Sequence, residues 1–139
     1  MDSGQVSQIC EGISEWHPFN KESVNSAPKQ YGIYIFRMAQ GKRFGRLKGE
    51  SDIFYIGSTQ SKHGLRGRLE QYLHPEVTQW TNKRNHEMTE KYDMEISWCL
   101  CGEARNLEHQ LLLRYLKDHD ELPPLNRAGK QLLIDRLED

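Results

Sequence analysis

Three shortages narrow the field before any motif is read. The 139 residues include only three cysteines, an odd number that cannot build a complete disulfide framework. Cys99 and Cys101 stand two apart in "ISWCLCG", which reads as a strand, where such residues point the same way. No second Cys/His pair stands at zinc spacing, so Cys10, Cys99 and Cys101 are expected to be buried structural thiols. No apolar run approaches the roughly 20 residues that span a bilayer. The polar opening "MDSGQVSQICEGISEW" has no signal-peptide apolar region, which leads to the expectation of a cytoplasmic protein. Net charge is scarce as well, −1 at pH 7, and a near-neutral average argues by itself against a polyanion binder.

What is present is a chain of one-domain length with 36% hydrophobic and 28% charged residues, a composition that suits a folded protein with a single core. The charge is also unevenly spread. Between Pro28 and Leu69 stand nine basic residues, Lys29, Arg37, Lys42, Arg43, Arg46, Lys48, Lys62, Arg66 and Arg68, against the two acids Glu50 and Asp52. That segment carries +7 and the remainder −8. Loop cations can be merely solvated, so the asymmetry needs a second, independent clue.

Hydrophobic pattern supplies the elements. A short helix is expected around Gln5–Glu15, followed by a turn-rich lead-in. "YGIYIFRM" alternates like a strand, residues 39–52 with their glycines read as a long hairpin loop, and "IFYIG" reads as a second, antiparallel strand. Leu65, Leu69 and Leu73 recur at i, i+4, i+8, an amphipathic helix ended by Pro75. A polar helix is expected across Asn82–Lys91 and a third strand at "MEISWCL". Leu107, Leu111, Leu112, Tyr115 and Leu116 then share one face of a helix stopped by Pro123–Pro124, and a loop with a short terminal helix closes the chain. These elements make an α+β domain, a small three-stranded antiparallel β-sheet flanked by helices.

Several reactive side chains fall at telling places. Tyr34 and Tyr55 sit on the two strands of the hairpin, 21 residues apart. Arg68 and Tyr72 are four apart on one helix, hence surface neighbours. Glu108 borders the apolar face of its helix, where a carboxylate is costly without a cation. Asn126 follows the Pro-Pro stop. Read singly, each is ordinary: half-buried strand tyrosines, a surface arginine, a packing tyrosine, a glutamate paired with Arg105 or Arg114, and an asparagine in a turn.

Taken in order, Gly32-Ile33-Tyr34, Tyr55-Ile56-Gly57, Arg68-x-x-x-Tyr72, Glu108 and Asn126 resemble the GIY-YIG nuclease family. The resemblance makes residues 28–139 a stand-alone GIY-YIG nuclease-like domain and residues 1–27 an N-terminal extension. It implies a metal-dependent endonuclease that hydrolyses DNA phosphodiester bonds, RNA not being excluded, with Mg²⁺ or Mn²⁺ as cofactor. By the resemblance, Tyr34 and Tyr55 match paired tyrosines, one of which activates water, and Arg68 matches the contact to the scissile phosphate. Tyr72 stands where members carry histidine or tyrosine, Glu108 matches the metal ligand, and Asn126 the supporting asparagine. Arg66 is a rival for the place of Arg68, because 13 residues separate Tyr55 from Arg68.

Chemistry agrees with this reading. Magnesium sheds water reluctantly and is commonly held by one or two carboxylates plus substrate oxygens, so a single glutamate suffices. A guanidinium fork suits a phosphate oxygen. Tyrosine is a weak base at its ordinary pKa of about 10, and surrounding cations would favour the phenolate of Tyr34, with Tyr55 orienting the water. Lys42, Arg43, Arg46, Lys48, Ser58, Lys62 and Arg66 are the expected nucleic-acid contacts. His63 and His74 stand near enough to assist a proton transfer, whereas His109 and His119 are expected to be solvated. Specificity would come from the long hairpin, residues 75–93, a homodimer or a partner protein. The alternative is a nucleic-acid binding module of the same fold that does not cut.

Overall fold

The computed structural model describes residues 1–74 and 80–126. A 3₁₀ turn at Ser3–Gln8 is followed by β1 (His17–Pro18), α1 (Lys21–Ser26) and β2 (Gly32–Met38). A two-stranded ribbon, β3 (Phe44–Gly45) and β4 (Glu50–Ser51), leads into β5 (Ile53–Thr59). Then come α2 (Gly64–Leu73), α3 (Trp80–Lys91), β6 (Met94–Leu100) and α4 (Ala104–His119). Pro75 and the terminal helix expected after Asn126 lie outside the described residues.

The main sheet is antiparallel in the order β1-β6-β2-β5. It has four strands where three were expected, because the two residues of β1 pair with β6, His17 opposite Ile96. Two residues are too few to show an alternating pattern. The expected helix at Gln5–Glu15 is shorter and tighter, one 3₁₀ segment capped by Asp2 and Gln5. Helix α4 stops at His119, before the prolines, where Asp120 turns left-handed at φ 58°.

Each face of the sheet has its own core. Ile33 and Ile35 of β2 face one way with Cys99, and pack with Leu111, Leu112 and Tyr115 of α4 and with Met1, Val6 and Cys10. Tyr34, Phe36 and Ile96 face the other way, and pack with Leu65, Leu69 and Tyr72 of α2 and with Val24 and Ala27. Residues 1–27 therefore supply side chains to both cores, each such burial contributing about 1.5–3 kcal/mol for a large apolar group. Cys10 and Cys99 are buried as expected and Cys101 is half-buried. Burial pushes the Cys10 thiol up to about 12, with Cys99 and Cys101 adding to the shift.

A bulge turns β5 toward the site. Phe36 pairs with Tyr55 but Arg37 pairs with Ile53, so Phe54 is an extra residue. Phe54 and Tyr55 consequently both join the α2 side while Ile53 and Ile56 join the α4 side.

Candidate active site

The two glycines of the tyrosine words are explained by close approach. A Cβ on Gly57 would run into Tyr34 Cζ and lie 2.5 Å from its hydroxyl and 2.7 Å from its Cε2, because Tyr34 is folded across its cross-strand partner Gly57. A Cβ on Gly32 would run into the Cys99 carbonyl and come within 2.9 Å of Leu65. Only glycine leaves room at both places.

Packed this way, Tyr34 meets residues from β5 and α2. Its hydroxyl lies 2.6 Å from that of Tyr72 and accepts a 3.2 Å hydrogen bond from Arg68 Nε. The Tyr55 ring lies 6.1 Å from that of Tyr34 and 6.3 Å from that of Tyr72, and the Arg68 guanidinium stands 5.6 Å from the Tyr72 ring. Arg68 Nη1 also donates to Gln71 Oε1 at 2.8 Å. The four-residue spacing of Arg68 and Tyr72 thus places both against the phenol of Tyr34.

Glu108 approaches from α4. Its Oε2 accepts a 2.9 Å hydrogen bond from Ser58 Oγ, three residues after Tyr55 on β5. Burial raises the Glu108 pKa, and Ser58, Arg105, Arg68 and His109 oppose the rise. Its single carboxylate, with the Ser58 hydroxyl beside it, suits a hard cation that keeps its waters. Among the described residues no three His, Cys, Asp or Glu side chains gather as a closed cage would require.

Electrostatics reverses the expectation that Tyr34 is a ready phenolate. Tyr34 and Tyr72 are 0% exposed and Tyr55 is 8% exposed. Burial raises the Tyr34 pKa, Tyr55 adds to the rise, and Arg68 opposes it. Tyr72 is raised for the same leading reason. Tyr55 is raised by burial too, with Arg68 lowering it and the Glu108 charge raising it. Desolvation of the charged form outweighs the neighbouring cation. Arg68 pays a burial penalty as well, yet Tyr34 and Tyr72 hold its pKa above the ordinary value.

Asn126 has a supporting geometry. Its Oδ1 accepts from the Ile56 N–H at 3.0 Å and its Nδ2 donates to the Ile56 carbonyl at 2.8 Å. It completes the backbone bonding of edge strand β5 next to Tyr55, as a further strand would.

A cleft of about 830 Å³ opens beside this group, lined among others by Lys29, Ser58, His63, Arg66, Arg68 and Arg105. Of the expected nucleic-acid contacts, Ser58 and Arg66 reach it, although the Ser58 hydroxyl is bonded to Glu108 and Arg66 Nε donates to the Ala27 carbonyl. Lys62 is exposed outside the lining. The ribbon residues stand away from the cleft lining. Arg43 pairs with Asp2 at 3.1 Å and Glu50 at 3.6 Å, and Arg46 with Glu121 at 2.6 Å. Lys42 and Lys48 are exposed on the same ribbon, where the Lys48 N–H donates to the His119 carbonyl and the Lys48 carbonyl meets His119 Nδ1 at 2.8 Å. That puts the ribbon at the far end of α4, about 16 Å along the axis from Glu108 at about 1.5 Å per residue. His119, expected in solvent, is buried between this ribbon and the Tyr115 ring, 4.4 Å away.

Sequence reasoning passed over Lys29 and Arg105 as cleft residues. The available signals were the three-residue offset of Arg105 from Glu108 on one helix and the position of Lys29 just before β2. No protein-family model, no curated protein and no solved structure matches this chain.

Proposed function

We propose that this chain is a GIY-YIG-type, metal-dependent endonuclease that hydrolyses phosphodiester bonds, with DNA as the first substrate to test. The supporting observation is that Arg68, three phenols and Glu108, from four separate elements, gather beside a cationic cleft whose lining includes Arg68 and the Glu108 partner Ser58. Mg²⁺ or Mn²⁺ at Glu108 would supply charge to the phosphate and lower the pKa of water.

The remaining work falls to the side chains. Arg68 offers a guanidinium fork to a phosphate oxygen, and its orientation is held by the Tyr34 hydroxyl and Gln71. Tyr55 is the phenol with residual exposure and with Glu108 in its field. In this reading water oxygen attacks phosphorus, its proton passes to the Tyr55 phenolate, and the bond from phosphorus to the departing sugar oxygen breaks. Tyr34 and Tyr72 position Arg68. A base with a raised pKa makes the rate climb with pH through neutrality.

Incubating the purified full chain with plasmid, branched and single-stranded DNA and with RNA, plus Mg²⁺ or Mn²⁺, tests this. Turnover is expected from the wild type and not from Glu108→Gln. Tyr55→Phe should lose about 10²–10⁴-fold, and Tyr34→Phe less, because Gln71 still holds Arg68. A larger loss in Tyr34→Phe would exchange the two roles. A wild type that cuts none of these substrates overturns the proposal.

A further inference from the structure

We propose that Lys29 and Arg105 form a second phosphate-binding subsite in the cleft, which takes a nucleic-acid backbone beside the scissile bond without reading its bases. The subsite rests on the hydrolase reading for its orientation, but its own observations are independent of catalysis.

The two cations come from separate segments of the chain, and the backbone at each is anchored. The Lys29 segment is clasped to α2, where the Leu65 N–H donates to the Gln30 carbonyl at 3.0 Å and the Arg66 N–H to the Pro28 carbonyl at 3.1 Å. Arg105 opens α4 and its backbone N–H donates to Gln60 Oε1 at 3.1 Å, which fixes this turn to the loop after β5. Both side chains are exposed. Among the described residues neither has a carboxylate within ion-pair distance, unlike Arg37, Arg43, Arg46 and Arg114.

The chemistry of the lining selects the ligand class. Among the described residues Glu70 is its one acidic residue, and the rest are cations, hydroxyls, amides, an imidazole and glycine. His63 gives the only aromatic ring among the described lining residues and no aliphatic side chain joins it, so the cleft offers little for stacking a base and no apolar floor. Phosphate and sugar oxygens are what such a surface binds, and those contacts carry register and affinity but no sequence information. At about 830 Å³ the cleft is larger than one phosphate needs.

The test is fluorescence anisotropy of the full chain on a labelled DNA duplex, without divalent cation, across a salt series. Lys29→Gln with Arg105→Gln should reduce the slope of log affinity against log salt by about 1.8, at about 0.9 per phosphate contact. Lys42→Gln with Lys48→Gln removes the same charge from the ribbon and should reduce it by less than half as much. A scrambled duplex of equal length should bind within about twofold. An equal slope change in both pairs, no change in the cleft pair, or a tenfold preference between sequences would overturn the subsite. Circular dichroism of each variant confirms the fold. Wild-type binding with the expected slope but no cleavage under Mg²⁺ or Mn²⁺ would sink the hydrolase reading alone. Cleavage with an unchanged slope in the cleft pair would sink the subsite alone.

Discussion

Arg46 stands 2.6 Å from Glu121 and 2.6 Å from the Leu122 carbonyl, whereas Arg68 touches a phenol and an amide and, among the described residues, no carboxylate. The contrast extends to their surroundings. On the ribbon, Arg43 and Arg46 are consumed by Asp2, Glu50 and Glu121, and they tie the ribbon to the N-terminus and to the end of α4. Around the cleft, Lys29, Arg66, Arg68 and Arg105 keep their charge uncompensated by any described ion pair. A cation already matched to a carboxylate has little left for a phosphate, and breaking that match leaves the acid unpaired. A cation held only by neutral acceptors is oriented without being neutralised, which is how an anion site is pre-organised.

The widest separation between the two sets is expected in exchanging their arginines for alanine. Arg68→Ala should lower cleavage by about 10²–10³-fold while shifting stability modestly. Arg46→Ala should leave turnover in place and cost about 2 kcal/mol of stability, because it removes a charged hydrogen bond and strands a backbone carbonyl. Parallel cleavage assays and urea melts check both, and a ribbon variant that loses turnover while staying folded would erase the distinction.

Alkali should act most on the aromatic side, where three raised phenols stand together, against the single raised Tyr115 near the ribbon. Tyr34, Tyr55 and Tyr72 have pKa values raised by burial, while the unfolded chain ionises its tyrosines near pH 10. Above about pH 10 the unfolded state therefore binds fewer protons than the native one, and stability falls as pH rises, by up to about 1.4 kcal/mol per pH unit for each such phenol. Melting curves from neutral to alkaline pH should show the decline, and Tyr34→Phe should flatten it. A slope unaltered in that variant would place the alkaline sensitivity elsewhere.

The smallest expected effect concerns Ser58. Its hydroxyl opposes the burial-driven rise in the Glu108 pKa, so Ser58→Ala should raise that pKa further. A cation needs the ionised carboxylate, so the acid limb of metal-dependent activity should move to higher pH, with about tenfold weaker metal affinity at neutral pH. An acid limb that stays in place would show that Glu108 does not govern it.

Much of the fold could be read directly from the chain. The alternation in "YGIYIFRM" and "IFYIG" and the leucine spacing around Leu65 and Leu111 each lie within one element, and those strands and helices are found nearly where expected. Strand β1 was not legible, because two residues carry no period, and the bulge at Phe54 was hidden because it appears only in cross-strand register. At the site, Tyr34, Tyr55, Arg68, Tyr72, Glu108 and Asn126 do come together. The full burial of Tyr34 was not legible, since it depends on Gly57 opposite it and on α2 above it.

By itself the sequence determined the period of each strand and helix and the order of the reactive side chains. Those properties are local, fixed by sterics and amphipathic spacing within a few turns of chain. Tertiary structure alone decided which cations were already neutralised, which phenol kept a path to water, and that Ser58 serves Glu108. Such outcomes depend on partners as far apart in sequence as Arg46 and Glu121, 75 residues, and electrostatic energy follows distance and burial in space, whatever the separation along the chain.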